Sequence, residues 1–174
     1  MERLMSEIED RLEIENLQTV FAHAADRGDY ALLRSLYTDD AVDDHGGYSG
    51  PVDGYIEWVK RTHEDYAMLS HICGKPLIRL AGDVAESEMK GHVFMRLKGP
   101  PACNTFAVTR AFDKYVRTAK GWRFSSRKLC ADWMGPSFEA PELDGLKGTM
   151  DASDPVYSEL PELVAALRSE FHRK

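Results

Sequence analysis

Two residues far apart in the chain have the types that a proton-transfer site needs. Asp26 lies in Phe21-Ala22-His23-Ala24-Ala25-Asp26-Arg27-Gly28-Asp29-Tyr30, where a small, apolar helical run ends in a carboxylate and a glycine. A carboxylate in such surroundings is costly unless a partner satisfies it. His71, in Ser70-His71-Ile72-Cys73, opens a long strand pattern. Imidazole is the side chain suited to acid–base work near neutral pH. If the two meet, the carboxylate accepts Nδ1–H, holds one tautomer and steadies the imidazolium, leaving Nε2 to remove a proton. Singly, Asp26 reads as a capping residue or a surface partner of Arg27 or Arg34, and His71 as a strand histidine. The functional reading rests on the pair.

The elements that must position them are legible in order. Ser6-Glu7-Ile8-Glu9 has the capping-box spacing, and Ile8, Leu12, Ile14, Leu17, Val20, Phe21 and Ala24 recur at helical spacing, predicting a helix from about Ser6 to Asp26. Gly28 ends it and Asp29 caps a short second helix bearing Leu32, Leu33 and Leu36. A short strand over Thr38–Asp44 runs into the Gly46-Gly47 turn, and a third helix spans roughly Val52 to Asp65, with Tyr55, Ile56 and Val59 toward the core. From Ser70 the period changes to that of strands, separated at Ala81-Gly82-Asp83, Gly99-Pro100-Pro101 and Ala119-Lys120-Gly121, which predicts an antiparallel meander. Lys75-Pro76 interrupts the alternation and marks a bulge or edge. Beyond Gly135 the periodicity stops. Residues 1–135 therefore read as one α+β domain, and 136–174 as an extension: an irregular arm or lid, then a short helix from about Ser158.

Composition narrows the partners. The 174 residues carry a formal charge of −7 without a Lys/Arg cluster, which argues against nucleic acid and anionic membrane surfaces. A small apolar substrate fits better. No apolar run is long enough to span a membrane. The three cysteines, Cys73, Cys103 and Cys130, show no paired spacing, and the start Met1-Glu2-Arg3-Leu4 has no apolar signal core, so a reduced, cytoplasmic protein with free thiols is expected. No metal-ligand spacing is present among the histidines; His45, His63 and His92 sit in polar contexts and read as surface residues.

Three helices followed by a strongly bent meander resemble the cystatin-like cone of the nuclear transport factor 2-like superfamily. Ala25-Asp26-Arg27-Gly28-Asp29-Tyr30, Leu36-Tyr37-Thr38-Asp39-Asp40-Ala41-Val42, Ser70-His71, Ala81-Gly82-Asp83-Val84-Ala85 and Gly121-Trp122-Arg123-Phe124 resemble its SnoaL-like members, over about Ile8 to Met134. In the group of scytalone dehydratase, bile-acid 7α-dehydratase and lindane dehydrochlorinase, an aspartate ending helix one pairs with a histidine opening the first long strand. Asp26 and His71 fall on those positions. The resemblance thus implies a cofactor-independent lyase acting on a hydrophobic cyclic or aromatic molecule, assembled as a homo-oligomer, trimer ahead of dimer. It departs where relatives place polarising tyrosines, since Phe21 and Ala25 stand there. Ketosteroid isomerases similarly place their base near Asp43 or Asp44, which otherwise read as turn and capping carboxylates. A non-catalytic binding domain, or an isomerase or cyclase, remains the alternative within this fold.

An elimination next to a carbonyl needs a donor where enolate charge develops, and Tyr48, Tyr55 and Arg110 are the residues of the right type. Phe21, Met89, Met95 and Trp133 are expected to line an apolar cavity inside the cone.

Overall fold

Apolar side chains recurring every three or four positions give the first helix one buried stripe, and everything downstream packs on it. The computed structural model describes residues 2–135, 138–139 and 149–171. Helix α1 (Glu2–Asp26) buries Ile14, Leu17, Val20, Phe21, Ala24 and Ala25. It starts one turn before the Ser6–Glu9 capping spacing. Gly28 reverses the chain at φ +64°, and a Cβ there would lie 2.6 Å from the Met150 carbonyl oxygen. Both facts require glycine. Asp29 then caps α2 (Tyr30–Ser35), its Oδ1 accepting from Leu32 N–H at 3.1 Å.

The other elements are β1 (Tyr37–Asp44), β2 (Ser49–Pro51), α3 (Val52–His63), β3 (Tyr66–Cys73), β4 (Leu77–Ala81), β5 (Val84–Leu97), β6 (Cys103–Thr118), β7 (Gly121–Met134), β8 (Phe138–Glu139), α4 (Val156–Glu159) and α5 (Pro161–Phe171). The sheet runs β2-β1-β7-β6-β5-β3, with β4 also on β5 and β8 on β6. Every pairing is antiparallel except β1 with β7. The result is the expected α+β cone, a strongly bent, mostly antiparallel sheet around the N-terminal helices. β3 begins at Tyr66, so His71 lies inside that strand rather than opening it. The chain leaves the ladder at 74–76 and rejoins β5 as β4, which is the break marked by Lys75-Pro76.

Small residues face inward on the long strands. On β6, Ala107, Thr109 and Ala111 are buried, whereas Phe106, Arg110 and Phe112 belong to the opposite, outer face. Small side chains along this stretch of β6 leave the chamber its volume. At the narrow end, Trp122, Phe124 and Tyr115 close the core against α1. Half of the arm expected over 136–157 lies outside the described residues; the part from Thr149 docks on the helix hairpin, where Arg27 pairs with Asp154 at 3.3 Å and Arg168 with Asp29 at 3.0 Å.

Candidate active site

Asp26 is the last residue of α1, where the helix presents its negative end and a second negative charge is unfavourable. Its partners offset this. His71 on β3 supplies two: its backbone N–H donates to Oδ2 at 2.9 Å, and Nδ1 lies 2.5 Å from Oδ1. A carboxylate only accepts, so Nδ1 carries the hydrogen and Nε2 is left as the basic nitrogen. Among the described residues Nε2 has no hydrogen-bond partner. Asp26 is buried and His71 borders a cavity of about 330 Å³, within the range of small-molecule sites.

The cavity lies between α1, α3 and the concave sheet, and its walls are overwhelmingly apolar. Phe21, Tyr55, Met89 and Met95 line it, as expected from the sequence. Burial holds the Tyr55 phenol far above its usual range, so it is a neutral donor. Three expected residues are elsewhere. Tyr48 donates its hydroxyl to the Pro51 carbonyl at 2.7 Å and braces the β2–α3 junction. Arg110 points outward, as strand parity dictates, and is forked onto Asp132 at 2.8 to 3.0 Å. Trp133 is 49% exposed and packs on Phe106, because the pairing of Val108 with Trp133 and of Thr109 with Ala131 leaves Asp132 as an extra residue. That bulge reverses the alternation, and Met134 lines the cavity instead.

Sequence reasoning missed the strongest charge at the site. Arg127 on β7 is 2% exposed; its Nε and Nη2 bind Asp113 at 2.8 and 3.0 Å, and Nη2 also reaches Gln18. Its guanidinium lies 3.9 Å from the Phe21 ring centroid and 4.6 Å from that of Phe124. Burial is the largest single influence and opposes the charge, but Asp113 together with Tyr37 and Tyr115 outweighs it and keeps the guanidinium firmly protonated. Nη1 has no partner among the described residues, and Arg127 borders the cavity. The available signal was strand parity, since Arg127, Leu129 and Ala131 alternate on one face.

Two of the histidines read as surface residues, His45 and His63, are half-buried and line the cavity, whereas His92 is exposed as expected and touches only its border. His63 accepts from or donates to the Tyr30 hydroxyl at 3.2 Å, and burial, aided by the nearby His71, pushes its pKa down to about 4. It is neutral and structural. His45 sits 2.5 Å from Asp43, whose other oxygen accepts from Tyr37 OH at 2.7 Å. Burial pushes the Cys73 thiol up, which removes it as a nucleophile. All three cysteines are free, and no group of three His, Cys, Asp or Glu among the described residues could hold a metal ion.

A cone with an apolar chamber and a His–carboxylate pair at its wall defines a class of small-molecule sites rather than one reaction. Residues 6–128 match the model of the SnoaL-like domain, and the chain belongs to that family. Rv2910c, an uncharacterized protein of Mycobacterium tuberculosis, is 29% identical over 126 residues, which is 71% of this chain and 86% of that protein. Among solved structures, a type 2 hexachlorocyclohexane dehydrochlorinase (LinA) superposes with a TM-score of 0.71 at 14% identity, covering 81% of this chain and 97% of that one. A candidate scytalone dehydratase of Novosphingobium aromaticivorans superposes with a TM-score of 0.65 at 15% identity, covering 86% and 95%. At these identities the likeness is one of fold. No helix among the described residues is long and apolar enough to cross a membrane.

Proposed function

We propose that this protein is a cofactor-independent lyase that eliminates water or a halide from a hydrophobic cyclic or aromatic molecule held in the cone. The observation that carries this reading is the double grip of Asp26 on His71, which leaves Nε2 as the free nitrogen of an imidazole bordering an apolar chamber. His71 removes the proton alpha to a carbonyl. Asp26 holds the tautomer and balances the imidazolium. The Arg127 guanidinium and the neutral Tyr55 phenol, both in the low-dielectric chamber wall, are the donors that support the developing enolate charge. Two structural neighbours bear the names of eliminating enzymes, one losing HCl and one losing water. An isomerase using Asp43 as its base is disfavoured, because that carboxylate is fully buried behind His45 and Tyr37.

The same reading includes a homo-oligomer, trimer ahead of dimer. Phe94 stacks on Phe106 at 5.6 Å, and Phe106 contacts Trp133 at 4.9 Å; Phe94 is 41% and Trp133 49% exposed, and a second copy would cover this outer ladder.

The test is a panel of hydroxylated and halogenated cyclic ketones, steroids and aromatics, assayed for elimination with wild type and His71→Ala. Turnover that His71→Ala loses supports the reading; turnover that His71→Ala retains overturns it.

A further inference from the structure

The cavity holds a second histidine–carboxylate pair, carried by a different strand from the first. Asp43 is the penultimate residue of β1, and His45 follows the strand's end. Nδ1 of His45 lies 2.5 Å from Asp43 Oδ1. Asp43 has no exposed side-chain surface, and its Oδ2 accepts from Tyr37 OH, so the carboxylate is fixed from behind just as Asp26 is fixed by the His71 main chain. The imidazole is clamped as well. It stacks on Tyr55 with centroids 4.7 Å apart and leans on Trp58 at 6.1 Å. Its backbone N–H donates to the Tyr48 carbonyl at 2.8 Å, and the following Gly47 lies so close to Trp58 that a Cβ would come within 2.8 Å of the indole. A surface histidine capping a turn needs none of this. Nε2 makes no hydrogen bond among the described residues, and His45 borders the same chamber as His71.

Sheet order sets the two histidines apart. His71 is on β3 and Asp43 on β1, with β7, β6 and β5 between them around the curl. Both imidazoles nevertheless border one chamber, and in each Nε2 is the ring nitrogen that the carboxylate leaves free. An elimination that expels hydroxide needs both a base and an acid, whereas one that expels chloride or a carboxylate needs only the base.

We propose that His45 is the general acid of this site and that its substrate's leaving group is a hydroxyl. This rests on the elimination reading with His71 as base. His71 Nε2 takes the α-proton, the C–H pair forms the new double bond, and the C–O bond breaks. His45, as an imidazolium paired with Asp43, gives its Nε2 proton to the departing oxygen, which leaves as water. His71 ends protonated and His45 neutral, and exchange with solvent restores both.

Imidazole 1H–15N correlations, assigned with His45→Gln and His71→Gln, test the placement, using 1-naphthol as the probe. Both Nε2 signals are expected to shift when it binds. An unmoved His45 overturns the proposal and leaves the elimination reading intact if His71 moves; an unmoved His71 overturns both. Turnover of 3-hydroxy-1-tetralone and of its 3-acetate then tests the role. His45→Gln is expected to lower loss of water by roughly 10²-fold or more, and by at least about tenfold more than loss of acetate, while His71→Gln lowers both alike. Equal losses in His45→Gln, or a wild type that expels acetate but not water, overturn the proposal. A wild type that expels neither overturns the elimination reading itself.

Discussion

Asp26 holds His71 at two points, the main-chain N–H at 2.9 Å and Nδ1 at 2.5 Å, so one carboxylate ties the end of the first helix to the sheet and sets the imidazole's tautomer. Asp26→Asn keeps the shape but can donate where acceptance is needed. The turnover rate is expected to fall by roughly 10²–10⁴-fold with little loss of fold, and His71→Ala by at least as much while binding of the substrate largely survives. Steady-state kinetics beside circular dichroism check this. Full activity in both variants would mean that the pair is structural.

Arg127 carries a different prediction because its charge is buried and forked onto Asp113. Arg127→Met strands that carboxylate in the core, and urea unfolding is expected to show a loss of about 3–5 kcal/mol. Adding Asp113→Leu removes the stranded charge and is expected to recover most of the loss. Activity would not return in the double variant, since the partnerless Nη1 is gone as well.

His63 governs part of the acid response. Its pKa falls from 6.5 to about 4 on folding, chiefly by burial and then by the nearby His71, with Asp26 opposing. The unfolded chain thus binds more protons than the folded one between those values. The stability that neutral His63 contributes is complete above about pH 6.5 and is lost as the pH falls toward 4. Thermal melts across this window should decline with acidity, and His63→Gln should flatten the decline.

The outer ladder gives a prediction independent of chemistry. Light scattering at micromolar concentration is expected to report a trimer or dimer, and Phe106→Glu with Trp133→Glu to shift it toward monomer. Because Trp133 lies outside the chamber, Trp133→Ala alone is expected to leave ligand affinity within about twofold. A monomeric wild type would refute the assembly.

Periodicity was enough for the elements. The stripe from Ile14 to Ala25, the Asp29 cap and the alternation of the long strands are local signals, and local signals survive without coordinates. The residues alone left Asp26 a capping carboxylate that needs a donor and His71 a strand histidine; the resemblance to the dehydratase group is what joined them. Which polar side chains face the chamber was decided by tertiary structure. One extra residue at Asp132 turned Trp133 outward and Met134 inward, and no spacing rule reveals a bulge that exists only against a partner strand. His45 and Asp43 look like turn residues in sequence, two positions apart and polar; the curled sheet brings the end of β1 to the same chamber as β3, and α3 packs Tyr55 and Trp58 on the ring. Arg127 is likewise ordinary as a letter in a strand. It becomes a buried cation at the cavity wall because Asp113 and Gln18, from a neighbouring strand and the first helix, converge on it, and that convergence is a property of three dimensions alone.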